Sequence, residues 1–157
     1  MINRIEEWID DTNLKYRAQR NSCAIFDTAF MGFYPSEFLR KSFFVSVDNI
    51  PKPDFPELRD MGLGEFIDMP VSGITYKDTY YLVRTQADNL RLHFHELVHV
   101  AQWRLLGVAN FINRYIYEIH NYGYESSPLE RMAYFLDHHY SSGGADLDVP
   151  SYVQSKL

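Results

Sequence analysis

Leu92-His93-Phe94-His95-Glu96-Leu97-Val98-His99-Val100-Ala101-Gln102-Trp103 is the stretch on which the reading of this chain turns. Within it, His95-Glu96-Leu97-Val98-His99 forms an H-E-x-x-H pattern. On an α-helix, residues i and i+4 lie almost above one another. His95 and His99 would therefore project from one face, a turn apart, and can grip a single metal ion. Glu96 follows His95 round the helix. In this pattern it is the base that holds and deprotonates a water at the metal, not a ligand.

The chain has six His and nine Glu in 157 residues. Random placement would yield about 0.01 matches to the pattern in such a chain. The flanking Leu90, Phe94, Leu97, Val98, Ala101, Trp103 and Leu106 recur at three- and four-residue spacing, which predicts a helix with a wide apolar face. Thr85-Gln86-Ala87-Asp88 offers an N-cap and Gly107 a stop. The competing reading is a buried helix whose histidines hydrogen-bond within the core. It gives no packing reason for two His at i, i+4 with an interleaved Glu.

Length and composition bound the rest. A chain of 157 residues with 46% hydrophobic content suits one domain with a real core. The expected division is a cover over about 1–70, a metal-site core over 71–140 and a mobile tail over 141–157. A formal net charge of −6 argues against a nucleic-acid partner. The single cysteine, Cys23, rules out an internal disulfide framework and a Cys-rich zinc site. The opening Met1-Ile2-Asn3-Arg4-Ile5-Glu6-Glu7-Trp8 carries acid where a signal peptide would be basic, and no run is long enough for a membrane span. The expectation is a soluble, cytoplasmic protein.

Ile2, Ile5, Trp8 and Ile9 predict a helix over about 1–20, and Phe43–Val47 a strand. Pro51, Pro53 and Pro56 make 48–58 an extended loop, with a short extended piece expected at Glu65–Pro70. Ile74–Val83 reads as one or two strands with Lys77-Asp78 as a two-residue turn lacking the usual glycine. An edge strand beside a metal helix can take an extended peptide as one more strand. Phe111–Tyr122 predicts a second amphipathic helix. Ser127-Pro128 predicts the start of a third, with Ser127 as N-cap and Pro128 at N1.

Catalytic zinc sites usually have three protein ligands and one open position. The downstream candidates for the third are Glu118, His120, Glu125, Glu130, Asp137, His138 and His139. The motif, a helix ending near Tyr122-Gly123-Tyr124, and Ser127-Pro128-Leu129-Glu130-Arg131-Met132-Ala133-Tyr134 together resemble the small bacterial gluzincin-type, minigluzincin-like zinc metallopeptidases over about residues 70–137.

The resemblance implies an α+β, zincin-like fold with a small mixed sheet packed on the motif helix and further C-terminal helices. It implies Zn²⁺ held by His95, His99 and Glu130, with Glu96 as general base and a peptide or protein as substrate. It also suggests a latent form in which Asp146 or Asp148 of the tail reaches the metal; the alternative is a disordered terminus. Ser127 and Glu130 also fit a capping box, which competes for the same carboxylate. Glu118 remains the rival ligand, with an ion pair to Arg114 as its plain reading. Gln102 could orient a ligand, and Tyr122, Tyr124 or Tyr134 could stabilise an oxyanion. The alternative to an enzyme is a catalytically silent zinc-binding regulatory or interaction domain.

Overall fold

A computed structural model describes all residues 1–157. Helix α1 (Ile2–Lys15) buries Ile5 and Ile9, in line with their spacing. After it come the two-residue strand β1 (Asn21–Ser22), tight aromatic turns, and the short helix α2 (Ser36–Arg40). Strand β2 (Phe43–Val47) leads to two short helices, α3 (Pro56–Leu58) and α4 (Gly64–Asp68). Strands β3 (Gly73–Tyr76) and β4 (Thr79–Val83) precede four helices: α5 (Leu90–Leu106), α6 (Val108–Tyr122), α7 (Pro128–Ser141) and α8 (Val149–Lys156).

The four strands form one mixed sheet in the order β1-β2-β4-β3. β2 runs parallel to β4, while β3 and β4 form an antiparallel hairpin. The hairpin turns on Lys77 and Asp78. Lys77 takes the left-handed conformation at φ 61°, uncommon for a residue other than glycine. Its ammonium meets Glu6 at 3.2 Å and Asp10 at 2.7 Å on α1, which holds the turn against that helix.

Strand alternation sends successive side chains to opposite faces. Phe44, Tyr80 and Leu82 join the core around α5 with Phe94, Leu97, Val98 and Ala101. Val45, Val47, Ile74, Tyr76 and Tyr81 join the core around α1, with Ile5 and Ile9. The sheet is thus sandwiched between α1 and α5.

The motif helix is more enclosed than an apolar stripe would require: every residue from His93 to Trp103 is buried. The sheet covers one side, and α6, α7 and α8 cover the others. Its N-cap is Asn89, whose Oδ1 accepts from the Leu92 N–H at 3.2 Å, one residue beyond the expected Thr85–Asp88 run. Gly107 at φ 78° ends it as expected and turns the chain directly into α6. There Trp103 stacks on Phe111 with centroids 4.0 Å apart. No helix is long and apolar enough to cross a membrane.

Four expectations are corrected. The extended piece at Glu65–Pro70 is helix α4 over most of its length, and α3 begins inside the expected 48–58 loop at Pro56, a proline suited to the first helical turn. The tail expected to be mobile is docked: Val149 and Val153 are fully buried in the core around α5. Neither tail aspartate reaches the motif. Asp146 lies against Gly32, and Asp148 caps α8 by accepting from the Ser151 N–H at 2.9 Å.

Removing residues 143–157 uncovers the core side of α5 that Val149 and Val153 seal. The truncated chain should lose about 3 kcal/mol or more of stability in urea unfolding. A truncation that melts like the full chain would mean α8 is not docked in solution.

Candidate metal centre

α5 places the two motif imidazoles one above the other, with ring centroids 5.0 Å apart. α7 crosses beside it and brings Glu130 from its first turn. Glu130 Oε1 lies 3.0 Å from His95 Nε2, and Oε2 lies 3.1 Å from His99 Nε2. The ligand atoms of His95, His99 and Glu130 all fall within 4.8 Å of one another, and all three residues are buried. The sequence-derived trio is therefore brought together.

Each histidine is held by its other ring nitrogen. His95 Nδ1 faces Asp137 Oδ2 at 2.8 Å, and the Arg91 Nε donates to Asp137 Oδ1 at 2.7 Å. A carboxylate held by a guanidinium is an acceptor, so His95 Nδ1 carries hydrogen. His99 Nδ1 faces Gln102 Oε1 at 2.7 Å, while Gln102 Nε2 donates to the Leu129 carbonyl at 3.0 Å. A carbonyl can only accept, so the Gln102 amide must show nitrogen to Leu129 and oxygen to His99. His99 Nδ1 therefore carries the hydrogen, and its Nε2 lone pair is directed at Glu130.

That Nε2 is the one buried side-chain nitrogen or oxygen in the molecule with no hydrogen-bond partner. It sits 3.1 Å from Glu130 Oε2 without the alignment a hydrogen bond needs. A buried polar atom left unpaired costs about 1–3 kcal/mol. A divalent cation between the three donors satisfies it. Two neutral imidazoles and one carboxylate suit zinc and its first-row neighbours. The residues present thus fit a metal ion.

Glu96 is buried beside the cluster. Its Oε1 accepts from the Thr75 hydroxyl at 2.9 Å, and its Oε2 lies 3.9 Å from His95 Nε2. Burial raises its pKa above the ordinary carboxylate value, an effect the two histidines partly oppose. Gly73 lies over it: a β-carbon there would stand 3.2 Å from Glu96 Cδ and 3.1 Å from Leu82 Cδ2. Burial opposes ionisation of Glu130 too, but the adjoining histidines overcome it and hold the carboxyl well below its usual range.

The capping-box reading of Glu130 is overturned. Ser127 makes no side-chain cap, and its hydroxyl donates instead to the Tyr124 carbonyl at 3.1 Å. The cap of α7 comes from α6: Glu118 Oε1 accepts from the Leu129 N–H at 2.8 Å. Glu118 Oε2 is 3.4 Å from Arg114, the expected ion pair. The rival third ligand is thus occupied elsewhere, and Glu130 is free of capping.

The remaining expectations sort by position. Asp137 orients His95 and does not join the three donors. His93 is buried against the sheet: its Nε2 donates to the Ala87 carbonyl at 2.7 Å, and its Nδ1 accepts from the Tyr80 hydroxyl at 2.7 Å. His139 is drawn to the Ala145 carbonyl. Of the three tyrosines, Tyr134 lies with its ring centroid 4.7 Å from that of His95, and Tyr124 and Tyr134 both line the cleft that opens on His95 and Glu96. Tyr122 is exposed and does not line it. Thr75, Gly73 and Arg91 carry no signal in the sequence around the motif; only their contacts identify them. The cleft holds about 430 Å³, in the range of ordinary ligand sites. No family model matches the chain, and comparison with curated proteins and with solved structures returned no similar one.

Two outcomes follow from this geometry. Glu130→Gln should abolish stoichiometric metal binding, because a neutral amide is a poor ligand. Glu118→Ala should keep one metal per chain but cost about 1–2 kcal/mol for the lost cap of α7. Metal analysis and thermal melts of the two variants check both; metal lost from Glu118→Ala alone would reverse the assignment.

A third outcome concerns pH. Burial disfavours the His95 imidazolium, yet the hydrogen bonds it donates to Asp137 and Glu130 outweigh this and carry the pKa from 6.5 up to about 10 in the absence of metal. The folded chain therefore holds this proton more tightly than the unfolded chain. Its contribution to stability is full below pH 6.5 and is lost as pH rises through about 10. A metal must displace the proton, so metal affinity should climb about tenfold per pH unit for each proton released. Competition with a chromophoric chelator at pH 6, 7 and 8 reads this directly, and a flat affinity would contradict the protonated cluster.

Proposed function

We propose that the chain is a zinc-dependent peptide-bond hydrolase with a zincin-like centre. His95, His99 and Glu130 hold the ion, and Glu96 is the general base. The observation that carries this reading is the buried His99 Nε2, unpaired yet aimed with its tautomer fixed at the meeting point of three donors. Only three His, Cys, Asp or Glu donors meet there, which leaves room for a water and favours a catalytic over a closed structural site. The H-E-x-x-H resemblance adds the choice of zinc and of a peptide substrate.

A bound zinc supplies Lewis acidity and brings the pKa of water at the site to about 7. The rest of the work falls to the chain. Thr75 ties one oxygen of Glu96 and leaves the other facing the centre, so the carboxylate needs no reorientation to accept a proton. Glu96 takes a proton from the attacking water and passes it to the leaving amine. Asp137 and Gln102 keep the imidazoles from turning. Tyr134, at the cleft mouth beside His95, is the tyrosine best placed to face a developing oxyanion.

The test is Glu96→Gln. The amide can still accept from Thr75, so fold and zinc content should be retained, while cleavage of casein or a peptide library falls by about two to four decades. If the purified, zinc-loaded parent cleaves no peptide and Glu96→Gln is indistinguishable from it, the hydrolase reading fails and a zinc-binding domain without turnover remains.

A further inference from the structure

β3 is the edge strand, the place where an extended peptide would add. Its edge is closed. The Thr75 carbonyl accepts from the Trp103 indole N–H at 3.1 Å, and the Tyr76 carbonyl from the Asn13 amide at 3.1 Å. Above this edge, residues 51–69 form a roof. Pro53, Leu58, Leu63, Phe66 and Ile67 look down on a floor built by β3, α1, α5 and α6.

Leu58 and Leu63 of the roof are buried with Ile5, Ile9 and Ile74 of the floor, but the packing between the two is incomplete. Between them lies an apolar void of about 70 Å³, in an interior that elsewhere should be close-packed. Facing surfaces separated by a void forfeit dispersion contacts, so parting them there costs least.

The roof is braced by polar contacts within itself and held to the body mainly by apolar and aromatic side chains, among them Leu58, Leu63 and Phe66. Arg59 forks across two carboxylates of the same segment, Asp54 at 2.8 and 3.0 Å and Asp68 at 2.9 and 2.7 Å. Lys52 donates to the Phe66 and Met69 carbonyls, each at 2.7 Å. Every backbone hydrogen bond made by residues 51–69 stays inside the segment. Its polar ties to the rest are the Tyr76 hydroxyl donating to the Pro51 carbonyl, at the segment's first residue, and the exposed Arg4–Glu57 pair at 2.8 Å. Exposed pairs of this kind contribute about 0–1 kcal/mol.

The segment also touches the metal cleft. Its last residue, Met69, lines that cleft with the adjoining Pro70, and Phe66 contacts Tyr124 on its wall with centroids 5.7 Å apart. Thr75 borders the void and bonds Glu96, so the void and the candidate base share one residue.

We propose that residues 51–69 are a lid: a braced unit that moves about its two ends, closes the apolar chamber beside β3, and on opening admits an extended peptide carrying an apolar residue. The substrate half of this rests on the peptidase reading; the motion does not.

Hydrogen exchange of the full, metal-loaded chain separates the two. The helical amides of residues 56–69 should exchange together, about tenfold or more faster than those of α5 and α6. Exchange of 56–69 only at the rate of α5 and α6 would overturn the lid. A second arm locks it. Arg4→Cys/Glu57→Cys joined by a cleavable bismaleimide should slow that exchange, leave zinc content at one per chain, and depress peptide cleavage until the linker is cut; Cys23 is buried and will not compete. Undiminished cleavage by the locked protein would remove the gating role. A parent that cleaves no peptide sinks the peptidase reading alone, and the exchange rates still decide the lid.

Discussion

Four ionisable side chains, His95, Glu96, His99 and Glu130, are packed together with only a few per cent of their surface exposed. Removing such groups from solvent costs several kcal/mol apiece unless each finds a partner. Much of the surrounding structure can be understood as supplying those partners. β3 provides the Thr75 hydroxyl for Glu96, α7 provides Asp137 for His95, and α5 itself provides Gln102 for His99. Each of these is in turn held: Thr75 also donates to the Glu96 carbonyl at 3.2 Å, Asp137 accepts from Arg91, and Gln102 donates to Leu129. The outcome is a path of polar contacts from Arg91 at the cleft to the backbone of α7, with a single unpaired atom at its centre.

A helix carrying such a cluster must be enclosed, or the cluster would be wet and loosely held. The sheet alone covers one side of α5. α7 and α8 close most of the remainder, which is why the last helix belongs to the domain and not to a loose terminus. α8 carries only two buried valines, but they seat against the core that also holds Phe94, Leu97 and Val98, the apolar partners interleaved with the motif. The stability of the candidate centre and of the C-terminus are thereby linked.

What was legible in the sequence is what acts over one helical turn or one strand repeat. The i, i+4 spacing announced the imidazole pair. Alternation and a polar dipeptide announced the β3–β4 hairpin, Pro128 the start of α7, and the i, i+3 spacing a role for Gln102 beside His99. The parts not legible depend on contacts across the fold. Thr75 is 21 residues from the carboxylate it ties, and Asp137 is 42 from its histidine. No periodicity points to either. α4 was misread because Gly62 and Gly64 look like loop punctuation; the chain instead bends once at Gly62, at φ 88°, and resumes a helix. α8 was misread because Gly143-Gly144 suggests an end to order, while the Val149 and Val153 that dock it are only two residues.

The two glutamates that competed for the role of third ligand illustrate how local and tertiary demands are reconciled. Ser127-Pro128-Leu129-Glu130 is a capping sequence, and a first-turn glutamate that bonds back to its N-cap is turned along its own helix. A glutamate that meets two imidazoles must instead extend away from it. One carboxylate would serve both poorly. In the fold the cap is imported: α6 runs alongside so that Glu118 reaches the Leu129 N–H, and the favourable interaction of a carboxylate with a helix N-terminus is kept without using Glu130. Leu129 then serves twice, its N–H taken by Glu118 and its carbonyl by Gln102, so a single residue anchors α6 to α7 and α7 to α5. The helix start that carries Glu130 is therefore positioned from both sides, by contacts that leave its carboxylate free to face His95 and His99.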